Sequence, residues 1–159
     1  MSAGEVADLV GLLGAGLLAG EEITIRYGVR APLASLDDQT HIRVRQALIR
    51  RLRVLVPAIY LATVVSAATA AILDGAGSGL ALRGAALLAL LAWIAVTMGG
   101  TVPINAAAME WEPSAPPGDW RARIDQWERL NSVRAWLAVA AFALLLVAAA
   151  LQARGSGAR

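Results

Sequence analysis

Five residues late in the chain could line one surface of a helix. Trp120, Ile124, Trp127, Asn131 and Arg134 recur at spacings of 4, 3, 4 and 3, which is a single helical stripe. Arg121, Asp125 and Arg129 fall on another face at i,i+4 spacing, the pattern of a solvated side. The aromatic stripe therefore points inward or into a membrane interface, where tryptophans commonly act as anchors. Asn131 and Arg134 on the same stripe are polar groups that a lipid anchor does not need. A second concentration of chemistry is the pair Glu21 and Glu22, at the end of an apolar run. Adjacent helical residues point about 100° apart, so at most one of the two is expected to face a bundle interior, as a base or a ligand. The alternative is a helix end emerging from the membrane, with Glu22 and Arg26 as a solvated i,i+4 pair. Asn105 is either interhelical glue or a substrate contact. His41 is the sole histidine, and no HxxxH or ExxH spacing accompanies it, so metal ligation has little support and no metal residue is assigned.

These groups need elements to hold them. The chain has 159 residues and is 58% hydrophobic, far above an ordinary soluble protein. The windows Val54–Leu73, Gly84–Met109 and Ala135–Ala153 carry no charge, and Val6–Ile25 is apolar except for Asp8, Glu21 and Glu22. Each is about long enough to cross roughly 30 Å of hydrocarbon. The reading is all-α: a four-helix transmembrane bundle, up-down-up-down, with helices extending beyond the bilayer on the cytoplasmic side. Residues 1–152 form one domain and 153–159 a short polar tail. The first window has acidic residues ahead of its apolar core and no small-residue cleavage site, unlike a signal peptide.

In chain order, helix one is expected from about Gly4 to Val29. Gly16 and Gly20 form its small-xxx-small contact, and Ala31-Pro32 ends it. Asp37 or Asp38 caps helix two, which starts as the arginine-rich stretch His41–Arg53 and is kinked at Pro57. The glycine-rich segment Asp74–Gly79 reads as a tight outer turn, since a phosphate loop would need a Walker lysine and a flanking strand. Gly99-Gly100 and Pro103 weaken helix three near its end. Glu112–Gly118, with three prolines, is a loop, and Asp119 caps helix four.

All the positive charge comes from arginine. Eleven arginines, among them Arg26, Arg45 and Arg134, fall in the two inter-helix segments on one side, against Arg83, Arg154 and Arg159 on the other. By the positive-inside rule the arginine-rich side is cytoplasmic and both termini lie outside, which places the protein in the plasma membrane and makes lipid, rather than nucleic acid, its partner. There are no cysteines, hence no disulfide framework and no thiolate metal site. Glu21, Glu22, His41, Arg45, Asn105, Trp111, Trp120, Trp127, Asn131 and Arg134 all belong to one end of the bundle, the default place for a site.

The run GLLAGEE, the polar start of helix two, the tripeptide Pro103-Ile104-Asn105 and the pattern W-x6-W-x3-N-x2-R from Trp120 to Arg134 together resemble the anthrone oxygenase-like family, small four-helix membrane proteins many of which are catalogued as a domain of unknown function. The resemblance covers nearly the whole chain. It implies an oxygenase that converts a tricyclic anthrone to an anthraquinone with dioxygen and without a cofactor. On that analogy Glu22 or Glu21 is the base; Asn105, Asn131 and Arg134 hold the oxygens. Trp120 and Trp127 stack on the rings, and Trp111, His41 and Arg45 complete the substrate site. Three other readings stand beside it. One is a non-catalytic accessory or lipid-binding bundle, with arginines on headgroups and tryptophans as anchors. Another is a metal oxidase built on Glu21 or Glu22 with His41. A transporter is disfavoured, because no charge lies near the centre of any segment. The small residues of every helix also allow a homo-oligomer.

Overall fold

Four helices separated by short connections make up the described chain. A computed structural model describes residues 2–73 and 79–156, so the turn expected at Asp74–Gly79 lies, apart from Gly79, outside the described residues. The helices are α1 (Ala3–Ala34), α2 (Asp38–Leu73), α3 (Leu80–Met109) and α4 (Trp120–Ser156). All four are long and apolar enough to cross a membrane. Their 30 to 37 residues correspond to roughly 45–55 Å at 1.5 Å per residue, so they outrun a hydrocarbon layer of about 30 Å. Helix α4 runs on past residue 152, where the polar tail was expected to begin.

Two helices are not regular throughout. In α1 residues Thr24–Val29 form a π-helical turn closed by Arg30 N–H to Ile25 C=O, and in α3 Thr97–Thr101 do the same, closed by Val102 N–H to Thr97 C=O. The second lies at Gly99-Gly100, just ahead of Pro103, where the sequence weakens the helix; the turn widens instead of unwinding. The first corrects an expectation. Ala31-Pro32 does not end α1, which continues to Ala34. Pro32 falls in the first turn of the segment after the π-turn, where a missing N–H is tolerated.

The small-residue contact of α1 is also displaced from its expected position. Gly20 has nothing within 4 Å of where a Cβ would sit, and a Cβ on Gly16 would meet the Phe142 ring at 3.2 Å. The close approach belongs to Gly14, where a Cβ would fall 2.3 Å from Thr63 Oγ1 on α2. That face continues into a small-residue core of Ala15, Ala67 and Ala86 with Leu145. A second core of Leu18, Val56, Leu90, Trp93, Ala138 and Ala141 joins all four helices at mid-height. A third, Ile42, Ala108, Trp111, Trp120 and Ile124, closes the end that carries the 110–119 loop.

Of the two candidate caps for α2, Asp37 is the one used. Its carboxylate accepts the Thr40 N–H at 3.0 Å, and that bond holds it below the ordinary carboxylate range. Its contribution is therefore full at neutral pH and is lost as pH falls through that lowered range. Asp38 enters the helix and pairs with Arg121 of α4, so Arg121 does not use Asp125 as expected. Asp119 precedes α4, its carboxylate on Arg123 Nε at 2.7 Å.

Candidate functional site

Between the mid-height core and the end core lies a cavity of about 510 Å³, within the range of roughly 300–1,000 Å³ typical of small-molecule sites. Every helix contributes to its wall. Glu21, Ile25 and Arg26 come from α1; His41, Arg45, Val56 and Tyr60 from α2; Trp93, Thr101 and Asn105 from α3; Trp127, Asn131 and Arg134 from α4. Both π-helical turns border it. Such turns recur at functional sites because the extra residue re-aims the side chains that follow.

The polar part of the wall is built around Glu22, which is 1% exposed. Its Oε1 accepts Arg134 Nη2 at 2.5 Å and Trp93 Nε1 at 3.0 Å. Arg134 in turn donates from Nη1 to Thr101 Oγ1 at 3.2 Å and lies over the Trp93 ring at 4.4 Å. Tyr60 stacks on Trp93, centroids 5.0 Å apart, and its hydroxyl donates to Leu90 C=O at 3.1 Å. Thus one buried carboxylate ties α1 to α3 and α4, and the charge-assisted bonds fix the arginine beside the cavity. The expected Glu22–Arg26 pair does not form. Glu22 turns inward to Arg134, whereas Arg26 points to the cavity wall with Nε and Nη1 unbonded.

Glu22 is sealed in the packed interior, and the half-buried Glu21 lines the cavity. Glu21 Oε2, Asn105 Oδ1, Arg134 Nε and Trp127 Nε1 are buried without a hydrogen-bond partner. Asn131 is 5% exposed and faces the same space.

The tryptophan stripe divides. Its inward direction holds for Trp120, Ile124, Asn131 and Arg134, all buried, while Arg121, Asp125 and Arg129 are exposed. Only Trp127 of the three loop-end tryptophans lines the cavity; Trp111 and Trp120 do not. They pack edge to face at 6.4 Å, and His41 meets Trp120 edge-on at 5.3 Å. Gln46 fastens this floor by donating to the carbonyls of Ala108 and Trp111, each at 3.0 Å. Sequence reading missed Trp93, Thr101, Tyr60 and Gln46. A tryptophan and a threonine amid the apolar residues of α3 were the available signal for two of them.

Chemically, the Glu21 carboxylate, the Arg134 guanidinium and the amides of Asn105 and Asn131 face one chamber, whose wall also carries Arg26, His41 and Arg45. That set can take a proton from carbon and hold the negative oxygen that results. Among the described residues no three His, Cys, Asp or Glu side chains come together, so Glu21, Glu22 and His41 do not assemble a metal ligand set of the usual size.

A family model described as anthrone oxygenase matches residues 46–144. No curated protein and no solved structure matches the chain. The matched stretch takes in most of α2, all of α3 and the part of α4 that carries Trp127, Asn131 and Arg134, and the four helices are those of an integral membrane protein. On that match the chain belongs to the anthrone oxygenase family.

Proposed function

We propose that this protein oxidises an anthrone-like polycyclic aromatic with dioxygen, using its own side chains. The observation that carries the proposal is the cavity whose wall holds Glu21 together with Arg134, Trp127 and Asn105, each with a polar atom free to bond. In an anthrone the methylene between two aryl rings is acidic, because its carbanion delocalises onto the ketone oxygen. Glu21 takes the proton. Arg134, with Asn131 and Asn105, hydrogen-bonds the oxyanion, an interaction stronger in the transition state than before it. The electron-rich carbon gives one electron to dioxygen, and the two radicals combine to a peroxide at that carbon, which recovers the proton from Glu21. Removal of the second C–H proton then expels hydroxide, leaving a second carbonyl and one water. One anthrone and one dioxygen become one anthraquinone and one water. Trp127 supplies a flat apolar wall. Glu22 is a positioning residue, since it touches Arg134 and not the cavity.

Oxygen uptake by detergent-purified protein given a simple anthrone tests the reading. Uptake is expected well above the spontaneous rate, and Glu21→Gln should lower kcat by about 10²–10⁴-fold, the usual worth of a general base. Saturable binding without uptake would make the protein a carrier. The arginine-rich end is proposed as the cytoplasmic one. Because the chain has no cysteine, Ser114→Cys labelled only from inside the cell checks the orientation, and labelling from outside reverses it.

A further inference from the structure

The cavity has a second polar corner that this mechanism does not use. Arg45 of α2 is 6% exposed and lines the cavity beside Trp127, with its guanidinium 4.3 Å from the centre of that ring. Its Nε has no hydrogen-bond partner, and no carboxylate is paired with it among the described residues. Two of the neighbouring arginines differ. Arg134 is bonded to Glu22 and Arg30 to Glu128; Arg45 lies in the field of Glu128 but is a deeply buried cation with no carboxylate bonded to it. His41, one turn earlier on α2, is 7% exposed, lines the same corner and has Nε2 unbonded.

Removing a guanidinium from water without an anion is costly, and an aromatic face offsets only part of that. The chain could relieve the cost by letting the side chain reach water, as arginines near a helix end commonly do. Instead the side chain stays buried, at the end of the bundle that Ile42, Trp111 and Trp120 close. A planar cation held against a flat ring, with its remaining N–H groups turned to a cavity, matches a carboxylate, which takes two such bonds in one plane.

We propose that Arg45, stacked on Trp127 and flanked by His41, is an anion subsite, and that the ligand of this cavity is a polycyclic aromatic acid whose carboxylate docks there. The proposal rests on the reading of the cavity as an aromatic site and adds the acidic substituent. It also sets orientation. Trp127 and Arg134 are seven residues apart on α4, roughly 10 Å along the axis, so a ligand anchored at Arg45 extends its far rings toward Arg134 and Glu21.

The test is binding, independent of turnover. Anthraquinone-2-carboxylate, an unreactive probe, is titrated by tryptophan-fluorescence quenching beside its uncharged carboxamide, in wild type, Arg45→Gln and Arg45→Lys. The acid should bind wild type about tenfold or more tighter than the amide, one charge-assisted hydrogen bond's worth. In Arg45→Gln that preference should vanish, acid binding falling to the level of the amide, while a circular-dichroism spectrum matching wild type reports that the variant is folded; Arg45→Lys should fall between. Equal binding of acid and amide by wild type, or an acid preference that survives Arg45→Gln, overturns the subsite and leaves the aromatic cavity standing. Binding of neither probe overturns the cavity reading itself. If the acid binds in neutral-lipid nanodiscs but is displaced by phosphatidylglycerol in an Arg45-dependent way, the corner belongs to a lipid headgroup and the proposal fails.

Discussion

Helix α1 carries a carboxylate near each end of the bundle, and each meets a buried arginine from another helix, yet the two ends are built to opposite effect. Toward the start of α1, Asp8 receives Arg83 through Nε at 3.1 Å and Nη2 at 2.6 Å, and Gln152 Oε1 takes the same Nη2 at 2.5 Å. Arg83 is 2% exposed, and both carboxylate oxygens of Asp8 are occupied. At the other end Glu22 receives Arg134 on one oxygen only, and Glu22 Oε2 and Arg134 Nε stay unbonded. Every buried side-chain atom found without a partner among the described residues lies at this second end, from Glu21 and Arg26 to Asn105 and Trp127. Buried polar groups are normally satisfied. Their clustering beside one cavity therefore reads as capacity kept for a ligand, while the Asp8 end reads as a fastening.

The sharpest way to break this comparison is to remove the carboxylates one at a time. Glu21→Gln, at the open end, should cost about 10²–10⁴ in kcat and leave resistance to denaturation in detergent unchanged, since Glu21 makes no side-chain hydrogen bond or ion pair among the described residues; a loss of stability in step with activity would make it structural. Next come the two ion pairs. Asp8→Ala and Glu22→Ala each take the carboxylate from a buried ion pair, and each should destabilise by about 3–5 kcal/mol in a denaturant titration. They part in activity. Glu22→Ala frees Arg134 and should lower kcat in the protein that remains folded, whereas Asp8→Ala should leave kcat alone. If both variants lost turnover equally, the ends would not be functionally distinct.

Gly14→Ala applies a smaller perturbation between the two ends. The added methyl would meet Thr63 Oγ1, whose hydroxyl is already committed to the Ile59 carbonyl at 2.8 Å. Overpacking of this kind costs about 1–3 kcal/mol. Thermal stability in detergent should fall and KM should not change, because neither Gly14 nor Thr63 lines the cavity. An altered KM would show that the α1–α2 contact shapes the chamber.

What was legible from sequence follows from which forces act locally. Four helices, the weakened turn at Gly99-Gly100, the loop at Glu112–Gly118 and the inward face carrying Asn131 and Arg134 depend on hydropathy, glycine, proline and a 3.6-residue period, all readable within one segment. Partner choice across helices was not. Glu22 has Arg26 at an ideal i,i+4 spacing and still pairs with Arg134, 112 residues away, because a carboxylate 1% exposed must be met by a cation that reaches the interior. Gly16 and Gly20 carry the familiar motif, but the rotation of α1 puts Gly14 against α2 instead. Trp111, Trp120 and Trp127 looked alike in sequence and serve two purposes, a floor and a wall. Nothing in their spacing records where the cavity stops. Helix α1 and Arg45 also lie outside the stretch 46–144 that the family model matches, so Glu21, Glu22 and the anion corner stand on geometry.

A third link of the same chemistry completes the series and gives the smallest expected effect. Arg30 of α1 pairs with Glu128 of α4 at 2.6 Å, the arginine 56% exposed. Here the charges are exchanged between the helices and the arginine reaches solvent or headgroups while Glu128 is half-buried, so the attraction is partly screened. Arg30→Ala should cost less than about 1 kcal/mol, against the several expected at Asp8 and Glu22. It also asks where an apolar substrate enters. Arg30 and Glu128 rim the cavity on the α1–α4 side, while Pro57 of α2 and Met98 and Val102 of α3 line it and are exposed on the apolar α2–α3 side. A polycyclic aromatic dissolved in lipid meets the second rim. Arg30→Ala should therefore leave kcat/KM for an anthrone unchanged, and Met98→Trp should lower it; a rise in kcat/KM in Arg30→Ala would move the entrance to the α1–α4 side and make the exposed pair a gate.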